Sequence, residues 1–232
     1  CLVMWSGEEA VRFYAQGMGE TRSARNLLRQ ARLCCDPALR LEVVVRLYRM
    51  RFTEALAPSL TLQEIRGKEG IRVRETYART SRETGVPWTG RSYRRENWDT
   101  ADPVNRALSC ANSCLYGVCH AAIVSAGYSP ALGFVHTGKM LSFVYDIADL
   151  YKTEMTIPTA FKAVAAGTED PSAGSPSSRE QAGQGLERRV RRACRDAFHA
   201  GRLLQRVIPD IERALSAGGD KDAAAEGDFD AD

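Results

Sequence analysis

Residues 127–152 have the sequence GYSPALGFVHTGKMLSFVYDIADLYK, and this stretch decides how the rest of the chain is interpreted. It places His136 on a turn bounded by glycines, with Asp146 ten residues later and Asp149 three residues after that. The apolar residues between and around the two aspartates recur with helical spacing. The stretch therefore predicts a turn histidine followed by a helix that carries two carboxylates.

Asp146 and Asp149 would share one face of that helix, because residues three apart are neighbours on a helix surface. Two carboxylates so close disfavour each other's ionisation, and a divalent cation relieves the repulsion. Carboxylate oxygens suit Mg²⁺ and Mn²⁺, and a nearby imidazole shifts the preference toward Mn²⁺. A solvated acidic face paired with Lys139 or Lys152 explains the same spacing, and spacing alone favours it over the metal site.

Helical patterns continue on both sides of this stretch. Asp36-Pro37, Thr61 to Glu64 and Asp102-Pro103 are typical helix starts, the second of them a capping box. We expect helices at about 21–35, 36–51, 61–83, 102–127 and 142–155, a short one from Pro158, and a last one over 186–217. The chain is therefore predicted to be mainly α, with an all-helical domain over 17–166 completed by the last, Arg-rich helix.

Two glycines, Gly67 and Gly70, flank Glu69 inside the third of these helices. Glycine inside a helix costs about 1 kcal/mol relative to alanine. Their presence around one Glu predicts that another part of the molecule, or a ligand, packs very close to that turn.

The segments LVMWS and VRFYA at residues 2–6 and 11–15 predict two β-strands joined by a turn. A two-strand ribbon cannot bury both of its faces by itself. We therefore interpret residues 1–16 as the remnant of an N-terminal β domain.

Charge is distributed unevenly along the 232 residues. Residues 218–232 hold six acidic residues and one Lys, so the preceding 217 residues carry a net charge of +8. A basic body favours a polyanionic partner, whereas the acidic end is typical of a solvated, disordered tail. Residues 167–185 are rich in Ser, Gly and Pro and are predicted to be a disordered loop. With 44% hydrophobic residues and no secretory-type leader pattern, a cytoplasmic protein without a membrane association is expected.

Basic and aromatic residues are concentrated at residues 91–98 and along the predicted last helix. Either region could contact nucleic acid, and either could equally be a structural loop or a solvated helix face. Cys110 and Cys114 lie four residues apart, which allows a metal or iron–sulfur site. Without a second closely spaced pair, buried thiols in a core helix are the better interpretation.

Four segments carry a resemblance that covers nearly the whole chain. They are GFVHTGKMLSFVYDIADLYK, SCLYGV from Ser113, GKEGIRVRETYA from Gly67 and RRACRDAF from Arg191. In their order and spacing they resemble the CRISPR-associated adaptation integrases, the Cas-one proteins, of subtype I-E. That family has an N-terminal β domain and a helical C-terminal domain that contains the active site.

The resemblance implies a metal ion, Mg²⁺ or Mn²⁺, held by Glu69, His136 and Asp149, with Asp146 as a further acidic residue beside the metal. It also implies a supporting catalytic role for Tyr116. Contacts to DNA or to the margin of the site are implied for four other residues: Arg12, Arg66, Tyr93 and Lys152.

The activity implied is that of a metal-dependent DNA endonuclease and integrase. In the family, the 3′-hydroxyl of a captured DNA fragment attacks a CRISPR repeat, and branched DNA is also a substrate. The family works as homodimers that flank the small Cas-two partner protein. Because most of the β domain is missing here, a catalytically silent DNA-binding or partner-binding fragment is the alternative expectation.

Overall fold

The computed structural model describes residues 2–5, 11–15, 24–91, 102–168 and 179–216. Within them the chain is mainly helical, as the sequence predicted. The helices are α1 (Arg25–Cys35), α2 (Pro37–Arg49), α3 (Leu62–Thr84), α4 (Pro103–Ser125), α5 (Ser142–Ala148), α6 (Ile157–Thr168), α7 (Arg179–Ala200) and α8 (Leu203–Leu215). A π-helical turn, Lys152–Thr156, lies between α5 and α6.

Three of these helices begin where the capping signals predicted. The Asp36 side chain accepts hydrogen bonds from the backbone N–H groups of residues 38 and 39, and Asp102 accepts one from Asn105. Thr61 and Glu64 form the reciprocal capping box at the start of α3. Each cap satisfies N–H groups that have no partner inside the helix, which is why such starts are visible in sequence.

Strands β1 (Leu2–Trp5) and β2 (Val11–Ala15) form an antiparallel pair. Leu2 pairs with Ala15, and the register shifts between Met4 and Trp5. The interpretation of this pair as the remnant of a larger β domain stays a prediction.

Helix α4 is the centre of the helical body. It contacts α5, α6, α7 and α8, and its side chains Leu108, Leu115 and Ile123 are completely buried. Of the described helices, α4 is the one whose length and apolar composition would suffice to cross a membrane. Its neighbours on several sides make it the core helix of this domain, as its apolar pattern predicted.

The single helix expected over 142–155 is wrong. Helix α5 ends at Ala148, and a wide π turn follows from Lys152 before α6 begins. Pro158 accounts only for the π turn, because a proline lacks the N–H that would bond to residue 154 and its ring collides with that carbonyl. The end of α5 at Ala148 lies ten residues earlier and has no such local cause. Ser142 is not the N-cap of α5. It is the first residue of α5, and its hydroxyl bonds to the backbone of Lys139.

The single helix expected over 186–217 is also wrong, because two helices cover this region. Arg202 adopts a left-handed conformation with φ of 52° and separates α7 from α8. A Cβ on the preceding Gly201 would lie 2.5 Å from the terminal methyl group of Met155, so the two segments approach each other closely here. Helix α7 begins at Arg179, inside the stretch 167–185 predicted to be disordered. Residues 169–178 and the acidic tail 218–232 lie outside the described residues.

Candidate active site

The Asp146 side chain organises the turn that carries His136. Its two carboxylate oxygens accept hydrogen bonds from the backbone N–H groups of Phe134, Val135 and His136, at 2.6, 3.1 and 2.9 Å. The carboxylate is completely buried. A buried charge is tolerated only when it is fully hydrogen-bonded, and consecutive backbone N–H groups provide this here.

The turn is also fixed by its packing. A Cβ on Gly133 would lie 2.3 Å from the carbonyl oxygen of His136 and 2.7 Å from the Cβ of Ser142, so any larger residue would displace the turn from α5. From the other side, Gln30 of α1 bonds to the backbone of Ser129 and Leu132 through three hydrogen bonds of 2.7–2.9 Å.

The orientation of the His136 ring follows from the same carboxylate. Nδ1 lies 2.7 Å from Oδ1 of Asp146. A carboxylate can only accept, so Nδ1 donates the hydrogen bond, and in the neutral imidazole Nε2 is the acceptor. The side chain is 41% exposed, so a ligand can approach the ring. This carboxylate–histidine arrangement is the one that orients metal-binding histidines in proteins.

Asp146 therefore differs from the expectation of an acidic residue beside the metal. All the acceptor capacity described for it is used by the turn and by the His136 ring, and none of its surface is exposed. The structure makes it a positioning residue for His136. The alternative interpretation, a solvated acidic face paired with Lys139 or Lys152, does not fit Asp146, which has no exposed surface, but the expected pairing with Lys152 is found for Asp149.

Glu69 and Asp149 form the second part of the site, and Arg51 connects them. Arg51 follows α2 and is buried; its Nη1 lies 3.5 Å from Oε1 of Glu69, and its Nη2 lies 3.3 Å from Oδ2 of Asp149. The contact of Nη2 with Asp149 is an ion pair and not a hydrogen bond. Within the described residues, Nε also has no hydrogen-bond partner. One buried guanidinium thus lies between carboxylates from α3 and from the end of α5.

Each of these carboxylates also has a closer cation of its own. Arg72 donates to both oxygens of Glu69, at 2.8 and 3.1 Å, and Nζ of Lys152 lies 2.7 Å from Oδ1 of Asp149. Burial lowers the pKa of Lys152, but the charge of Asp149 and contact with Tyr116 outweigh it, so that the pKa is raised. Lys152 is therefore held in its charged form.

Glu69, His136 and Asp149 would suit a divalent ion by their chemistry, with two hard carboxylate donors and one oriented imidazole nitrogen. In the part of the chain that the structure describes, no three His, Cys, Asp or Glu residues are close enough together to hold an ion as they stand. Arg51 lies between the two carboxylates instead. The structure brings Glu69 and Asp149 to one guanidinium, and the three-residue ligand set stays a prediction.

No other described part of the chain packs against the glycines that flank Glu69, and the expected close approach of a ligand stays a prediction. A Cβ on Gly67 or on Gly70 would meet no atom within 4 Å, and both residues are exposed. The glycines instead leave an open, flat strip of α3 beside the buried Glu69 side chain, which a ligand could approach.

The residues with predicted supporting roles are placed differently from one another. Tyr116 of α4 lies beneath Lys152, with Nζ 5.1 Å from its ring centre. Arg66 is exposed on α3. Arg12 is part of β2, where the structure describes the backbone and not the side chain. Tyr93 and the rest of the basic, aromatic loop after residue 91 lie outside the described residues.

Sequence reasoning missed Arg51, Arg72 and Tyr145. The Tyr145 ring lies between those of His136 and Tyr116, with ring centres 5.7 and 5.0 Å away. The sequence contains 32 Lys and Arg residues, and nothing in it distinguishes Arg51 and Arg72 from the others. Only the fold shows that these two contact the carboxylates. Tyr145 could have been found, because it stands one residue before Asp146.

Cys110 and Cys114, the pair noted in the sequence, form a cluster of thiols with Cys194. A hydrogen bond with Cys110 lowers the pKa of Cys114, but a second one with Cys194 and burial outweigh it and raise the pKa to about 11. Such thiols stay protonated at neutral pH and act as small apolar groups. A cavity of about 380 Å³ beside them is lined by Cys114, Arg191 and Phe198 among others, and includes none of the candidate site residues.

Comparison with known proteins identifies relatives of this chain. The family described as CRISPR associated protein Cas1 matches residues 22–198. A Thermus thermophilus protein named CRISPR-associated endonuclease Cas1 2 is 61% identical over 211 residues, covering 91% of this chain and 60% of the relative. An Escherichia coli K12 protein named CRISPR-associated endonuclease Cas1 is 44% identical, with 94% of this chain and 65% of the relative covered.

Solved structures agree with the sequence comparison. A crystal structure described as a TtCas1-DNA complex superposes with a TM-score of 0.78 at 59% identity, and covers 93% of this chain and 71% of that one. The chain spans about 60% of the length of its Thermus relative. Since the family match extends over more than half of the residues and the helical fold agrees, the chain belongs to the CRISPR associated protein Cas1 family.

Proposed function

We propose that this chain is a metal-dependent DNA endonuclease and integrase of CRISPR adaptation. The observation that carries the proposal is the pairing of Nδ1 of His136 with the buried Asp146, which leaves Nε2 of the neutral imidazole as an acceptor. Relatives named as endonucleases and a relative crystallised with DNA support the same activity.

Glu69, Asp149 and Nε2 of His136 are the groups that would hold Mg²⁺ or Mn²⁺. The chemistry that such an ion supplies is stabilisation of the negative charge that develops on a phosphodiester under attack. His136 is assigned as a ligand and not as a general base on the strength of the family resemblance, and the hydrogen bond that Nδ1 donates to Asp146 fixes the orientation of its ring. Asp146 positions His136 and takes no direct part.

The surroundings of the site favour a polyanion as substrate. Three cationic side chains, Arg51, Arg72 and Lys152, contact the carboxylates of Glu69 and Asp149. The open strip beside Gly67 and Gly70 allows a phosphate backbone to approach α3 closely. Double-stranded and branched DNA fit this surface better than a small neutral substrate would.

The finer features of the proposal follow from the resemblance. They are integration through attack of a 3′-hydroxyl on a CRISPR repeat, membership of subtype I-E, and assembly as a homodimer with the small Cas-two partner in the cytoplasm. The two strands at the N-terminus would then belong to the β domain of the longer relatives.

A second candidate is a DNA-binding or partner-binding protein without catalytic activity. The observation in its favour is that Arg51 lies between the two proposed ligand carboxylates and no ready-made ligand cluster exists in the described residues.

Cleavage and strand transfer on branched DNA, measured with and without Mn²⁺, separate the two candidates. We expect Mn²⁺-dependent products from the parent chain and at least a hundredfold loss in His136→Ala. His199→Ala is the matched control, because His199 is exposed at the end of α7 and should leave activity unchanged. Equal activity of His136→Ala and the parent chain would exclude the assigned role. DNA binding without any Mn²⁺-stimulated product would favour the silent protein.

A further inference from the structure

Arg51 has no assigned role in the metal-binding set of the proposed function, although it contacts two of the three proposed ligands. Its guanidinium is buried, yet neither Nε nor Nη2 has a hydrogen-bond partner among the described residues. A buried charge with unsatisfied donors is costly unless another purpose retains it. Its stem has an apolar neighbour, since Cζ lies 4.5 Å from the centre of the Tyr48 ring.

The contacts of Arg51 differ from those of the neighbouring cations. Arg72 and Lys152 each bind one carboxylate at 2.7–2.8 Å, which are the distances of strong, charge-assisted hydrogen bonds. Arg51 instead shares two carboxylates, Glu69 and Asp149, at 3.5 and 3.3 Å. Arg51 is therefore the cation that the two carboxylates share, and its contacts are the longest of the three. It lies between Glu69 and Asp149, which would also hold a metal ion.

We propose that Arg51 is a built-in counter-cation of the metal centre, which holds Glu69 and Asp149 near each other without metal and competes with a divalent ion for them. This inference rests on the proposed metal-dependent function. Two carboxylates left alone at this separation would repel, and the guanidinium prevents that. The same positive charge opposes entry of a second cation.

One consequence concerns the charge balance of the site. The two carboxylates are already contacted by three cations, so a divalent ion enters a site that is not anionic. Metal binding to the protein alone should therefore be weak. A phosphodiester at the same place would compensate the charge of Arg51 when it moves away from the carboxylates.

Mn²⁺ binding to the DNA-free protein, measured by electron paramagnetic resonance, tests the competition. Arg51→Met removes the charge and keeps an apolar stem over Tyr48, and we expect it to bind Mn²⁺ about tenfold more tightly than the parent chain. Arg51→Lys keeps the charge and should bind as weakly as the parent. Arg74→Gln removes an exposed charge from α3 and serves as the control for a general charge effect.

A second measurement uses the unaltered protein, so that the test does not depend on how Arg51→Met folds. The Nε–H resonance of Arg51, assigned by its loss in Arg51→Lys, should shift when Mg²⁺ is added. That of Arg49, whose guanidinium bonds to carbonyl groups of residues 56–58, should stay in place.

The outcomes separate this inference from the proposed function. An Arg51→Met protein that binds Mn²⁺ no more tightly than the parent, or an Arg51 resonance unmoved by saturating Mg²⁺, overturns the role of Arg51 whether or not the parent chain cleaves DNA. If parent and variants all fail to bind Mn²⁺ and cleave no DNA, the metal-dependent function itself is wrong.

Discussion

The two acidic parts of the site are stabilised in opposite ways. Asp146 is completely buried, and backbone N–H groups and one imidazole satisfy it. Glu69 and Asp149 have cationic side chains as partners instead, one of them shared between the two. Backbone donors cannot leave without unfolding the turn, whereas side chains can exchange partners. The difference indicates that the Asp146 part fixes geometry and that the Glu69 and Asp149 part is built to change ligands.

The largest expected effect comes from Asp146→Asn. An amide there would direct N–H groups at backbone donors, so we expect a loss of about 3 kcal/mol in the free energy of unfolding. DNA cleavage should be lost as well, because His136 would no longer be oriented. Urea unfolding gives the measurement, and Asp149→Asn is the matched variant, expected to cost less than half as much. Equal losses in the two variants would remove the distinction between the two parts.

Gly133→Ala tests the turn from a different direction. The added Cβ would lie 2.3 Å from a backbone oxygen that cannot move independently, so a loss of about 2 kcal/mol is expected. Gly67→Ala is its control, since the space there is open and alanine favours a helix by about 1 kcal/mol. The midpoint temperature of thermal unfolding should fall for Gly133→Ala and rise for Gly67→Ala. A tolerated Gly133→Ala would mean that the turn is not held as tightly as its contacts indicate.

The smallest effect on stability is expected for His136→Ala. The ring is 41% exposed and supplies one of the four hydrogen bonds to Asp146, so the loss should be about 1 kcal/mol. Chemical unfolding monitored by circular dichroism checks this value. A loss as large as that of Asp146→Asn would show that the imidazole, and not the backbone, holds the turn together.

Local signals explain what the sequence could predict. Asp36, Thr61 and Asp102 each cap a helix by contacts within three residues, so their role is visible without the fold. The apolar residues of α4 likewise revealed the central helix. The predicted association of Glu69 with His136 and Asp149 came from a family resemblance and not from any local pattern.

What the sequence could not predict depends on contacts between distant residues. In the sequence, nothing distinguishes the role of Asp146 from that of Asp149. Only the packing of the turn on α5 shows that Asp146 is a buried positioning group and that Asp149 is partly exposed. Arg51 meets Glu69 and Asp149 through the packing of α2 and α3 and the end of α5. The end of α5 and the break at Arg202 were missed because the helical pattern of apolar residues continues through both positions, and the left-handed conformation of Arg202 leaves no mark in that pattern.

A Mn²⁺-soaked crystal of the parent chain, with the metal located by its anomalous scattering, tests the central claim most directly. We predict one ion within about 2.0–2.3 Å of Glu69, Asp149 and Nε2 of His136, with Asp146 still bonded to the turn. Arg51 should then be farther from both carboxylates than the 3.5 and 3.3 Å found without metal. An ion bound to Asp146, or one that leaves His136 uncoordinated, would contradict the account.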